Sequence, residues 1–242
     1  MSGAPAEASA PDWQAVIDGC WPAARAVRAG PWTVRVTRGA GGRVSSISGD
    51  APDRIDEAVA ATRAEGQRPS FVVWPRQRAL DAALAARGYA VADAVTLWTR
   101  PTVGAVRPSH ATAFPVWPPW AVMRRLWAEG GIGSERQAVM MRAARGTGLL
   151  ARANDRPAGV AFAAVHEATA MLSAAYVAPA FRRRGLMGRL LEAALFWSAG
   201  EGAATLALVA ARDNTAANAA YAAHGMRAEG GYHYRRAPED EP

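Results

Sequence analysis

The sequence predicts an α/β protein of the α+β type, and three observations carry that expectation. Short apolar runs alternate with longer stretches whose apolar positions recur at helical spacing. Glycines stand where those helical stretches stop, as at Gly88, Gly200, Gly202 and Gly225. A shift of 137 positions lays Phe71–Trp98 over Leu208–Arg235, bringing Gly88 onto Gly225, Tyr89 onto Met226 and Leu84 onto Tyr221.

In chain order, Trp32–Arg38 and Arg43–Ile47 are expected to form a hairpin around Gly39-Ala40-Gly41-Gly42. No Lys-Ser/Thr ends that glycine cluster, so it reads as a turn and not as a phosphate loop. A helix over about 53–65, a strand at Phe71–Trp74, a helix over about 76–87 and a strand at Val91–Thr99 follow. Five prolines between Pro101 and Pro119 mark a connection. Two helices, Trp120–Glu129 and Glu135–Ala144, are split by Gly130-Gly131-Ile132-Gly133, with Ser134 as the expected N-cap of the second. Strands are expected at Gly148–Ala153, Ala158–Val165 and Ala170–Val177. Met187, Leu190, Leu191, Ala194, Leu195 and Ser198 then share one helical face. A strand at Ala203–Ala210, a helix at Asn214–His224 and a strand at Tyr232–Arg235 complete the chain.

Composition narrows the class. Of 242 residues, 50% are hydrophobic and 20% charged, the profile of a folded soluble chain. The net charge of +7 comes entirely from arginine, because the sequence contains no lysine. Alanine makes up about a quarter of the chain, well above ordinary usage. Together these indicate a bias toward Ala, Arg and Gly, so the charge is weak evidence for nucleic acid and no nucleic-acid partner is expected. The single cysteine, Cys20, excludes an internal disulfide and a multi-cysteine zinc site, and no metal is expected. Residues Met1–Pro11 lack the basic start and apolar stretch of an export signal, and the expected location is cytoplasmic. The weakly charged stretch Pro157–Phe181 carries His166-Glu167 near its middle, where one charge would cost about 2.5 to 3.5 kcal/mol in a bilayer. Two strands joined at that point are expected instead, with no membrane contact.

The sharpest constellation is Arg182-Arg183-Arg184-Gly185-Leu186-Met187-Gly188, between an apolar strand and an amphipathic helix. Unpaired amides in a first helical turn and the helix dipole favour a phosphate, and neighbouring arginines add charge-assisted bonds. A solvated basic helix start is the competing reading. Downstream, Asn214, Ala217 and Tyr221 precede Gly225-Met226. These two motifs, at this spacing, resemble the acetyl-CoA-binding half of the GNAT acetyltransferase superfamily, over roughly Pro118–Arg235. In that family the turn reads Arg or Gln, two residues, Gly, one residue, then Gly or Ala. Arg182 and Gly185 fit, Met187 departs from the pattern, and Gly188 beside it could compensate.

The resemblance implies a mixed, mostly antiparallel central sheet flanked by helices, preceded by a truncated, degenerate copy of the same fold. Its expected divisions are a tail at 1–12, the degenerate half at 13–100, a linker at 101–119, the acetyl-CoA-binding domain at 120–236 and an acidic tail at 237–242. It further implies that Ala175 and Val177 receive the pantetheine arm and that the amides from Arg183 to Gly188 hold the pyrophosphate. Arg182, Arg184 and Leu186 belong to that turn, and Asn214 contacts the pantetheine or supports the cleft. Tyr221 would protonate the departing thiolate, a role open to a phenol of pKa about 10. Trp120, Arg124 and Trp127 would wall the acceptor site, or join the two halves.

No carboxylate stands in Met171–Val177, so the base is open among Glu167, Glu129, Glu135 and an ordered water. His166, His224 and His233 read as structural or surface residues. The activity implied is transfer of acetyl from acetyl-CoA to a small-molecule or peptide amine, by a monomer or homodimer. An acyl-CoA-binding sensor without turnover is the alternative.

Overall fold

Apolar alternation and helical stripes resolve into one sheet with helices on both faces. The computed structural model describes residues 11–109 and 112–238. The first half contributes α1 (Trp13–Cys20), β1 (Arg25–Ala29), β2 (Trp32–Val36), β3 (Ile47–Ser48), α2 (Ile55–Ala64), β4 (Ser70–Val73), α3 (Arg78–Ala86) and β5 (Ala90–Pro101). The second contributes β6 (Ala113–Val116), α4 (Ala121–Glu129), α5 (Ser134–Met140), β7 (Gly146–Ala153), β8 (Arg156–His166) and β9 (Thr169–Val177). It ends with α6 (Leu186–Gly200), β10 (Thr205–Ala211), α7 (Thr215–Ala223) and β11 (Arg227–Arg236).

The 11 strands form a single sheet in the order β1-β2-β3-β4-β11-β5-β10-β9-β8-β7-β6. Among the described residues only β3–β4 and β9–β10 pair in parallel, so the sheet is mixed and mostly antiparallel, as expected. The last strand of each half lies beyond its own half's strands: β5 pairs with β10, and β11 pairs with β4. The sequence offset of 137 also relates these pairs. Trp98 faces Leu208 where Arg235 faces Phe71, and Trp98 faces Ala228 where Arg235 faces Val91. The two halves therefore close around a central β5–β11 pair in a two-fold arrangement, each completing the other's sheet.

One face of the sheet packs on α1, α4 and α5 through a core that includes Trp21, Met123, Trp127, Phe162 and Tyr232. The opposite face carries α6 and α7 over Leu190, Leu206 and Tyr221, and α2 and α3 over Trp32, Phe71 and Leu84. Helix α1 crosses between halves: Cys20 Sγ donates to the Ala164 carbonyl at 3.3 Å, and the His166 ring occupies the space beside Gly19.

Several expectations are corrected. Arg43–Ile47 is not a continuous strand. The amides of Val44 and Ser45 bond to the carbonyls of Gly41 and Gly42, and the Ser45 hydroxyl bonds to the Gly41 carbonyl, which winds the chain into a 3-10 turn before β3. The expected 101–119 linker contains β6, which among the described residues pairs with β7 alone and so tolerates Pro115 at the sheet edge. Gly133 caps α5 in place of Ser134, whose hydroxyl bonds to Glu135, and that helix ends at Met140 instead of Ala144. β11 begins five residues before Tyr232, through a bulged Ala228–Gly230 segment. The tails fall largely outside the described residues. Of those described, Asp12 caps α1 by accepting from the amides of Gln14 and Ala15, and Ala237 is buried.

Candidate functional site

The site begins where two parallel strands part. β9 and β10 pair from Thr169–Thr205 to Leu172–Leu208, after which β9 continues to Val177 and β10 to Ala211 with no further pairing. At the parting point β9 bulges against β8, with Ala174 at φ 51°. Left-handed backbone is costly for alanine and persists only when its surroundings hold it. Here the indole of Trp127 donates to the Ala174 carbonyl at 2.9 Å.

Beyond β9 the chain turns through Pro179–Phe181, and the Arg182 Nε donates back to the Val177 carbonyl at 3.1 Å. Arg183 and Gly185 both take left-handed backbone, φ 60° and 73°, and Gly185 caps α6. Such turns gather amides into an anion-binding concavity, and the helix dipole reinforces it. A side chain at Gly185 would meet nothing within 4 Å, so the glycine serves the backbone angle and leaves the approach open. Gly188 has a different reason. A Cβ there would lie 2.2 Å from the His224 ring, so glycine permits the close packing of α6 on α7.

Tyr221 is carried on α7. Asn214 caps that helix by accepting from the Ala217 amide at 3.1 Å. The tyrosine is 8% exposed, and burial pushes its phenol above the ordinary value. Its ring lies against Trp98 of β5, and the Trp98 indole donates to Asn218 at 2.8 Å.

These elements enclose a cleft of about 530 Å³. Ala175, Val177, Arg182, Arg183, Gly185, Leu186, Met187, Gly188 and Tyr221 all line it. Arg184 does not; its guanidinium stacks over Phe181. Asn214 does not either, and its structural part is the cap. Tyr176, Phe181, Ala216, Ala217, Ala220 and His224 complete the wall, beyond the site residues that the motifs single out. For His224 the signal in the sequence is Gly188, a glycine inside a helix that makes room for a neighbour.

The three expected acceptor-wall residues stand apart from this cleft. Trp127 is fully buried in the core of the other face, Trp120 is exposed and packs on Phe114, and Arg124 is exposed on α4. None of Glu129, Glu135 and Glu167 lines the cleft. Glu135 is held below the usual carboxylate range by its own backbone amide and the Ser134 hydroxyl. His166 packs on α1, and His233 bonds to Asp81 at 2.9 Å. Among the described residues no group of three or more His, Cys, Asp and Glu side chains could hold a metal. No helix among them is long and apolar enough to cross a membrane.

The first half has a corresponding fork, and a side chain spans it. β3 and β4 pair only at Ile47–Phe71, and the gap beyond is bridged by Gln77, which the offset of 137 places opposite Asn214. Gln77 accepts from the Trp74 amide at 2.9 Å and donates to the Gly49 carbonyl at 2.7 Å. In the second half Asn214, at the equivalent position, caps α7 instead, and the left-handed turn stands before α6.

Comparison with known proteins agrees with this asymmetry. The acetyltransferase (GNAT) family profile matches residues 111–226. No curated protein sequence matches the chain. Among solved structures, a GCN5-related N-acetyltransferase from Kribbella flavida superposes with a TM-score of 0.73 at 18% identity, covering 92% of each chain. A GCN5-related N-acetyltransferase from Sphaerobacter thermophilus gives 0.56 at 14% identity, covering 79% of this chain and 72% of that one. A tandem GNAT protein from the clavulanic acid biosynthesis pathway gives 0.50 at 16% identity, covering 81% and 76%. Residues 111–226 thus belong to the GNAT acetyltransferase family, and the fold of that family extends over the chain as a whole.

Proposed function

We propose that the chain transfers an acetyl group from acetyl-CoA directly to an amine. The observation that carries this reading is one cleft in which the open β9–β10 fork, the left-handed turn before α6 and the buried Tyr221 face each other. The residues present fit acetyl-CoA. Amides from Arg183 to Gly188 suit its pyrophosphate, with Arg182 and Arg183 adding charge. Ala175 and Val177, beyond the last β9–β10 pair, suit the pantetheine arm and the thioester carbonyl.

In the transfer, the amine nitrogen bonds to the acetyl carbon, the carbon–sulfur bond breaks, and the thiolate takes the phenolic proton of Tyr221. Burial keeps that proton in place across neutral pH, which suits an acid. Among the described residues the cleft lining holds no carboxylate, so the acceptor enters as the free amine, and the proton its nitrogen sheds as the amide forms passes through water and restores the Tyr221 phenol. Asn214 serves by capping the helix that carries Tyr221.

The same lack of a carboxylate, with Met187 where the family pattern has Gly or Ala, favours one second reading: an acyl-CoA sensor without turnover. The test is CoA release from acetyl-CoA in the presence of a broad amine panel. Amine-dependent release that slows in Tyr221→Phe supports transfer. Tight binding without release, unchanged in Tyr221→Phe, selects the sensor, and the absence of both binding and release overturns the two together.

A further inference from the structure

Two arginines without acidic partners meet where the halves join. Arg43 lies in the turn after β2, and its guanidinium sits over the Trp21 ring at 5.1 Å. Its Nη1 donates to the Ser173 hydroxyl at 3.2 Å. Arg136, on α5, reaches the same loop, its Nη2 3.6 Å from where a Cβ on Gly41 would stand. Its Nε is buried with no hydrogen-bond partner. Among the described residues neither guanidinium has a carboxylate within ion-pair distance, whereas Arg35, Arg100 and Arg235 each have one. Glu135, next to Arg136 in sequence, is engaged by Ser134. Burial and then the charge of Arg43 lower the pKa of Arg136, the mark of two like charges held together in a desolvated place.

Their position gives this pair a use. Ser173 is the first residue of β9 beyond the last β9–β10 pair, so Arg43 stands at the apex of the fork. It arrives on the face that carries Trp21 and Trp127, opposite the face covered by α6. The cleft assigned to acetyl-CoA is lined from α6 and α7, and Arg43 stands at the other face of the same fork. Two half-buried guanidinium groups with unpaired donors, the buried Arg136 Nε among them, form a receptor for a planar or tetrahedral oxyanion.

We propose that Arg43 and Arg136 together hold an anionic group of the acceptor, a carboxylate or a phosphate, so that the substrates are amino acids or aminophosphates and not neutral amines or polyamines. The inference rests on the acetyl-transfer reading. It also gives the first half a part in the reaction, because that half supplies Arg43 to the acceptor site of the second.

The test uses the full chain and matched acceptors: amino acids against their amides and decarboxylated amines, and phosphoethanolamine against ethanolamine. Each is measured for CoA release and, separately, for its effect on thermal unfolding. The anionic member of a pair is expected to show at least a tenfold higher kcat/KM, and the carboxylate and phosphate series identify which oxyanion is read. Arg43→Gln and Arg136→Gln are expected to raise KM for that member tenfold or more, with the unfolding shift produced by acetyl-CoA unchanged. Arg38→Gln removes the same charge from the start of the loop and should leave the preference intact. Preference for the neutral members, no effect of any anionic acceptor on turnover or unfolding, or folded arginine variants with wild-type KM would each overturn the proposal. Loss of the acetyl-CoA shift in the wild type would instead overturn the transfer reading, and the acceptor unfolding series would still report on the arginine pair.

Discussion

Trp98 of β5 lies against Tyr221 of α7, ring centroids 6.4 Å apart, and so the last strand of the first half walls the tyrosine of the second. The indole also donates to Asn218 on that helix. Replacing Trp98 with Phe removes this hydrogen bond at a cost of about 1 kcal/mol. A matching small fall in Tm is expected, with a lower kcat and little change in acetyl-CoA affinity, measured by unfolding and steady-state kinetics.

Tyr221→Phe should lower kcat by about 100-fold, the lower end of the range for general-acid catalysis. The pH profile carries the sign. Burial raises the phenol above its ordinary value, so it is protonated across neutral pH, and an alkaline fall in kcat/KM that belongs to Tyr221 lies at higher pH than an unburied phenol would give. On the acid side the rate should rise with pH until the acceptor amine is deprotonated, because no carboxylate among the described residues lines the cleft to remove its proton. A profile set by an enzyme group of pKa about 4 to 5, the ordinary range of a carboxylate, would count against this assignment.

Gly188→Ala places a methyl 2.2 Å from the His224 ring. Overpacking of this kind costs about 1 to 3 kcal/mol. His224→Ala should recover much of that loss, so a double-mutant cycle over the two positions is expected to show coupling. Additive effects would mean that the helices separate freely at this point.

Asp81 links α3 to β11 through Arg235 at 2.7 Å and His233 at 2.9 Å. Arg235 first, and His233 after it, hold the carboxyl below its ordinary value. The folded state therefore binds the aspartate proton more weakly than the unfolded chain does. Its contribution is fully present above the unfolded pKa of about 3.9 and fades as pH falls through the lower folded value. Asp81→Asn should destabilise the protein at pH 7, and the difference should shrink toward pH 3 in acid unfolding curves.

Local chemistry decides what can be read without coordinates. Helix α6 is legible because its apolar positions repeat at 3.6 residues, and the turn before it because Gly185 and three arginines stand at a strand-to-helix junction. Helix α1 carries a signal short enough to pass over: Asp12 as cap and Val16, Ile17 and Cys20 on one buried face. β6 is hidden by Pro115, which only an edge strand admits. The exchange of β5 and β11 is beyond local patterns, since a strand's composition does not name its neighbours. The repeat marks these strands as equivalents, and long-range pairing decides that each lies beside the other half's parallel strand. Trp127 is legible as an important aromatic but not as the donor that holds the Ala174 bulge, because the bulge itself leaves no mark in composition.

If the turn at Gly185 and the fork at Leu172–Leu208 bind acetyl-CoA, thermal unfolding with and without that ligand, in wild type and Gly185→Glu, shows it most directly. At about 100 times Kd a ligand adds about 2.7 kcal/mol, roughly 5 to 10 °C for a chain of this size. That shift is expected in the wild type, and it should disappear in a cooperatively folded Gly185→Glu, where a carboxylate enters the phosphate turn. No shift in the wild type, or an equal shift in both proteins, would contradict acetyl-CoA binding at this place.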